Sequence, residues 1–212
     1  NEFGQLGDGT TIERLTPVNI NLGLDRTAAG VSAGESHTCA VLDDYSIKCW
    51  GENSNGQLGD GTSTNRLSPV SIDLGDGETA IMVSSGSYHT CAIVENRSVK
   101  CWGDNWQGQL GDGTNADRLS PVPIDLISNS SAISLSSGPF HTCVGMNDGS
   151  MKCWGFNLYG QLGNGHTTST NSPSSVGLSQ AHSPTQISNG LFHTCSLLDS
   201  EGVLCWGGNS VG

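Results

Sequence analysis

A chain of 212 residues with 20 acidic side chains, eight basic ones and a formal charge of −12 has no Lys/Arg surface with which to displace counterions from phosphates, which excludes nucleic-acid and anionic-membrane binding. Thirty Gly and seven Pro against 13% charged residues describe a chain that turns often and favours short strands over long helices. No apolar run approaches the roughly 18 residues of a spanning helix, and the chain opens on Asn1 without a charged-then-apolar leader, so it reads as a processed or partial polypeptide.

In chain order, the first clear strand signal is His37-Thr-Cys-Ala-Val-Leu42, followed across a turn-like Asp43-Asp-Tyr45 by Ser46-Ile-Lys-Cys-Trp50. Together they predict a hairpin, and the third copy of this stretch carries Asn147-Asp-Gly149 at the turn. Asn53-Ser-Asn-Gly-Gln-Leu-Gly-Asp-Gly61 is rich in residues that tolerate positive φ and predicts a compact loop. A strand over Pro69–Leu74 follows, with Pro at its first position where no ladder donor is needed, and another over Ala80–Ser84.

These elements recur with a period of 52 residues. Gly-Gln-Leu-Gly starts at Gly4, Gly56, Gly108 and Gly160, His-Thr-Cys at His37, His89, His141 and His193, and Cys-Trp-Gly at Cys49, Cys101, Cys153 and Cys205. Six of the eight basic residues (Arg14, Arg66, Arg118, Lys48, Lys100, Lys152) obey the same period, which points to structural roles. The spacing predicts one folded unit used four times (4–55, 56–107, 108–159 and 160–211) within a single domain spanning 1–212. Each unit supplies about four strands, the content of one propeller blade, so the expected fold is an all-β, β-propeller-like array.

A hairpin centred near Asp44 places Cys39 opposite Cys49, and the repeat extends the pairing to Cys91–Cys101, Cys143–Cys153 and Cys195–Cys205. Four such bonds persist in an oxidising compartment, which predicts an extracellular or cell-surface protein. His37, Cys39 and Cys49 on one hairpin face make an incomplete zinc set without the usual ligand spacing, so no metal is expected, and the repeated His is read as a core residue that locks loop to strand. Trp50, Trp102, Trp154 and Trp206 are assigned to packing between blades. Asp8, Asp60 and Asp112, each followed by Gly-Thr, lack the spacing of a calcium loop and are read as turn residues, with Asn164 in the fourth copy. No nucleophile elbow, phosphate loop or unpaired Cys is present, so neither enzymatic activity nor a cofactor is expected. Asn96-Arg-Ser98 and Asn129-Ser-Ser131 match the N-glycosylation pattern.

Gly-x-x-His-Thr-Cys, then Cys-Trp-Gly-x-Asn-x-x-Gly-Gln-Leu-Gly-Asp-Gly-Thr, then Arg-Leu-x-Pro-Val, resembles the RCC1 repeat over essentially the whole chain. The resemblance implies a β-propeller, usually of seven blades, in which neighbouring repeats share a blade. Four repeats do not make seven. Because Asn209-Ser-Val-Gly212 stands in phase with Asn1-Glu-Phe-Gly4, the array is expected to be an arc of a longer ring or a unit that joins head to tail into a filament. The resemblance also brings nucleotide exchange on a small GTPase to mind, an activity of reducing compartments against which the paired cysteines argue.

If constant positions build the scaffold, function lies where the copies differ. The variable loop positions carry Phe3, Ser54, Asn55, Trp106, Gln107, Phe156, Leu158, Tyr159 and Val211, and the residue before each repeated His is Ser36, Tyr88, Phe140 or Phe192. Aromatic side chains in loops bury much area at little entropic cost. Phe3, Tyr88, Trp106, Phe140, Phe156, Leu158, Tyr159 and Phe192 are therefore the candidate contact residues. The expected function is a secreted structural or protein-interaction scaffold whose partner is another protein, copies of itself or glycans; the alternative is a soluble propeller that binds or inhibits one protein.

Overall fold

The computed structural model describes residues 1–75, 77–127, 130–178 and 183–209. Its strands form four antiparallel sheets. The first contains β1 (Ala28–Ala33), β2 (His37–Leu42), β3 (Ile47–Gly51) and β4 (Arg66–Ile72), in that order. The second contains β5 (Ala80–Ser85), β6 (His89–Val94), β7 (Val99–Gly103) and β8 (Arg118–Ile124). The third contains β9 (Ala132–Ser137), β10 (His141–Met146), β11 (Met151–Gly155) and β12 (Thr170–Ser175). The fourth, with β13 (Pro184–Asn189), β14 (His193–Leu198) and β15 (Val203–Gly207), has three strands among the described residues. Since β4 lies beyond the Gly56 landmark, each four-stranded sheet borrows its outer strand from the next sequence unit. The sheets succeed one another without closing into a ring.

The hairpins follow from local chemistry. In the β2–β3 turn the Asp44 carboxylate accepts from the Ser46 amide, and Asn96 and Asp148 do the same for Ser98 and Ser150. That side-chain bond holds a turn whose next residue is left-handed, at Tyr45 (φ 63°), Arg97 (φ 68°) and Gly149 (φ 85°). The pairing sets Cys39 directly opposite Cys49, with Cα atoms 4.1 Å apart, and a bond joins them. Cys91–Cys101, Cys143–Cys153 and Cys195–Cys205 repeat the arrangement.

The outer strand departs from its expected bounds. β4 begins at Arg66 rather than Pro69, because Arg66 pairs with Gly51 before the register shifts between Cys49 and Gly51. Pro69 thus lies inside an outer strand at an irregularity, where the missing amide leaves no ladder bond unmade.

Sheets join through their first strands and through apolar layers between them. The Ser85 amide donates to Ser32 Oγ at 2.9 Å, Ser137 to Ser84 at 2.8 Å and Asn189 to Ser136 at 3.0 Å, tying β1, β5, β9 and β13 in succession. Ile47 and Val41 of the first sheet pack with Val83, Ala92 and Trp102 of the second, and Ile93 and Val99 of the second with Leu135, Val144 and Trp154 of the third. The core therefore lies between sheets, and each inter-sheet loop sits beside it.

Candidate functional site

The loops that follow β3, β7 and β11 run over residues 52–65, 104–117 and 156–169, and each closes around one buried Asn. Asn53 accepts from the Leu58 amide at 2.9 Å, while its Nδ2 donates to Asp60 and to the carbonyls of Thr62 and Thr64. Asn105 and Asn157 make the corresponding bonds to Leu110 and Leu162 and across their own loops. A side chain that satisfies four backbone or side-chain groups fixes the loop without regular secondary structure.

Each loop then reaches over the next sheet. The Gln57 carbonyl accepts from Trp102 Nε1 at 3.0 Å and from Thr90 Oγ1 at 2.8 Å. Because the Thr90 hydroxyl hydrogen points to Gln57, His37 Nε2 must donate to Thr90 Oγ1, at 2.8 Å. His89–Thr142–Gln109 and His141–Thr194–Gln161 repeat this relay at the next two joints. The repeated His thus locks sheet to sheet, not loop to strand as its sequence position suggested, because its Thr partner stands 53 residues away. Its Nδ1 is buried without a partner in His37, His89 and His141. Burial lowers His37 to about 4; His89, also burdened by its His neighbours, and His141 fall to about 3. Gly59, at φ 81°, lets the loop lie on Trp102, since a Cβ there would stand 2.6 Å from Nε1.

Asp60 and Asp112 act within the loop. Burial works to raise both carboxyls, but hydrogen bonds from Thr62 and Arg66, and from Thr114 and Arg118, hold them below their ordinary value. Arg66 Nε donates to Asp60 and Arg118 Nε to Asp112, each at 2.7 Å. The fourth copy, with Asn164 and Thr170 at these positions, closes without that pair, Asn164 donating instead to Ser174.

The variable positions gather at one end of the strands. Asp104 follows β7 and its amide donates to the Tyr88 carbonyl, so the start of β6 and the end of β7 share an edge; Glu52–Ser36 and Phe156–Phe140 repeat that bond. Trp106, exposed, meets Phe140 edge-on at 6.4 Å between centroids, and Phe140 meets Phe156 at 6.3 Å. Phe156 packs against Tyr159 and Phe192, and Tyr159 against Phe192 at 4.7 Å. Leu158 is exposed in the same loop, and a cleft of about 700 Å³ beside Tyr159 and Phe192 is lined by Leu191, His193 and Trp206.

Tyr88 and Phe3 stand apart from this ring cluster. Tyr88 donates to Glu35 at 3.1 Å; burial, that bond and the charges of Glu35, Glu52 and Asp104 raise its phenol. Phe3 sits half-buried in the first loop near Ser36, beside Glu2 and Glu13. Sequence reasoning named the rings but missed these carboxylates, of which a comparison of residues 52, 104 and 156 would have found Glu52 and Asp104. Asn96 is exposed in the β6–β7 turn, at the opposite end of the strands from the rings, whereas Asn129 and Val211 lie outside the described residues.

The repeat family described as "Regulator of chromosome condensation (RCC1) repeat" matches residues 1–41, 49–93, 99–144 and 148–197. Among curated proteins, the ultraviolet-B receptor UVR8 of Arabidopsis thaliana is 34% identical over the whole of this chain and 48% of its own length. Among solved structures, human WBSCR16 superposes with a TM-score of 0.86 at 21% identity, over 98% of this chain and 55% of that one. The ectodomain of the Physcomitrella patens receptor kinase CR4 does so with 0.60 at 23% identity, over 93% and 45%. The chain therefore spans about half the length of each.

Proposed function

The chain belongs to the RCC1 repeat family, and from that premise we propose that it is one domain acting as an extracellular protein-interaction scaffold, binding without turnover through the loop edge that carries Trp106, Phe140, Phe156, Leu158, Tyr159 and Phe192. The observation that carries this reading is the convergence of variable positions. Residues 106, 140, 156, 159 and 192, drawn from three sequence units, form one continuous set of ring contacts with exposed members. A contiguous exposed apolar patch is the surface signature of a contact site, and rings supply its area at little entropic cost.

Four disulfides and no free cysteine among the described residues support an oxidising location. The fold's presence in a receptor ectodomain is compatible with it. A glycan on Asn96 would stand away from the ring-bearing edge and leave it open. The His side chains that sequence alone offers for chemistry are occupied at three joints by the Thr relays. A recognition role therefore suits the chain better than a catalytic one.

Panning an immobilised, oxidised chain against a random 12-residue display library tests the reading. Clones that bind the parent and are lost on Trp106→Ser/Tyr159→Ser support it; clones indifferent to that change, or none at all, count against this edge.

A second reading, self-association, is supported by residues 14–20. They repeat the Arg-Leu-x-Pro-Val sequence of β4 and β8, and among the described residues they pair with no strand and β15 has no outer neighbour, while Leu15 is 98% exposed. Electron microscopy of the unreduced protein separates fibres, which support head-to-tail pairing, from single particles, which oppose it.

A further inference from the structure

The loop edge is not uniform along the array. At the position after Cys-Trp-Gly the residue is Glu52, then Asp104, then Phe156; two residues on it is Ser54, Trp106, Leu158; two before the repeated His it is Glu35, Ser87, Pro139, Leu191. The residue just before each His runs Ser36, Tyr88, Phe140, Phe192. The edge therefore passes from carboxylates beside the first two sheets to rings and Leu beside the last two, with Tyr88, Asp104 and Trp106 where the two parts meet.

The acidic part is electrostatically open. Glu35, Glu52 and Asp104 all act on Tyr88, and none of the three stands in an ion pair among the described residues. Asp104 is buried, and burial first and Asp117 second raise its carboxyl, so the acids open to a ligand are Glu35 and Glu52. Gln109 donates to Asp104 at 2.7 Å, but Gln57, its counterpart in the previous loop, leaves its buried Nε2 without a partner, and among the described residues the Glu52 side chain accepts from Ser54 alone. Unpaired carboxylates on a chain of net charge −12 attract a cationic group, and exposed rings supply the apolar and cation–π surface beside it.

Resting on the interaction reading above, we propose that this edge binds a two-part linear segment of another protein, Arg/Lys-rich at one end and apolar at the other, with the basic end at Glu35 and Glu52 and the apolar end on Trp106, Phe140, Phe156 and Tyr159. Charge fixes the direction in which the segment lies, and the rings supply the buried area. Because the two halves are separated along the array, a segment with its charges interleaved among its apolar residues meets neither half fully.

Three fluorescein-labelled 14-residue peptides test this by polarisation at 50 and 300 mM NaCl: one with four Arg/Lys followed by Leu and Trp, one of the same composition interleaved, and one with Ser in place of the basic residues. The block peptide should bind at least tenfold more tightly than the other two and weaken with salt. Glu35→Gln/Glu52→Gln, with folding checked by circular dichroism, should bring it to the level of the Ser peptide, and Trp106→Ser/Tyr159→Ser should abolish binding. Equal binding of block and Ser peptides, lost on Trp106→Ser/Tyr159→Ser, overturns the charge inference and leaves the ring-bearing edge standing. Equal binding of block and interleaved peptides overturns the two-part geometry. Block-peptide binding that survives Trp106→Ser/Tyr159→Ser is unspecific attraction and overturns both readings. If no peptide binds, the inference fails, and the panning result alone decides the edge.

Discussion

At the joint between sheets, Gln57, Gln109 and Gln161 offer the same carbonyl to the same Thr and Trp partners, with distances between 2.8 and 3.0 Å. A few residues away the same loops carry Glu52, Asp104 and Phe156 at one shared position, two acids and a ring. The contrast shows how one loop serves two purposes. Backbone-directed bonds to Asn53, Asn105 and Asn157 hold its path whatever the outward side chain is, so surface chemistry can change from acid to ring without disturbing the joint.

Breaking the joint should produce the largest effect. His37, His89 and His141 are neutral when folded, since burial lowers them to about 4, 3 and 3 from an ordinary 6.5. The unfolded chain therefore binds more protons in acid. Stability is complete above about pH 6.5 and is lost toward pH 4 at roughly 1.4 kcal/mol per His per unit. Three such groups remove roughly 8 kcal/mol by pH 4.5, measurable as a lower urea midpoint than at pH 7.5. A His37→Gln/His89→Gln/His141→Gln chain keeps a donor and loses the titration, so it should shift much less. If it shifts equally, the joint is not the acid-sensitive element.

Asn105→Ala tests the loop's hinge between joint and surface. It leaves the Leu110 amide and the Thr114 and Ala116 carbonyls without their partner and should cost roughly 3 kcal/mol. A change under roughly 1 kcal/mol in urea melts would mean that other groups hold the loop. The adjacent Trp106→Ser should cost under about 0.5 kcal/mol, because the ring is 61% exposed. Equal losses for these neighbours would erase the distinction between fixed path and free surface.

Much of this architecture was legible in the sequence, for identifiable reasons. β2 has its expected bounds because His37 and Leu42 are flanked by turn residues on both sides, and the cysteine pairs follow from a hairpin of fixed length. Sequence misplaced the start of β4, since a Pro inside a strand is tolerated only at an outer position that local reading does not reveal. It also misassigned the His, whose partner arrives from the next sheet. The rings were visible one by one, but their contact across units required the sheets to be placed side by side, whereas Glu52 and Asp104 stood in register with Phe156 and were overlooked.

Each disulfide closes a single hairpin, and among the described residues none bridges two sheets. Under a pulling force the array behaves as a string of covalently locked beads. The seams between sheets and the first and outer strands are held by hydrogen bonds and apolar contact alone, while the segment between each cysteine pair contributes nothing to the extension. Such a chain keeps its hairpins closed, whatever happens to the rest of each sheet, for as long as the bonds stay oxidised.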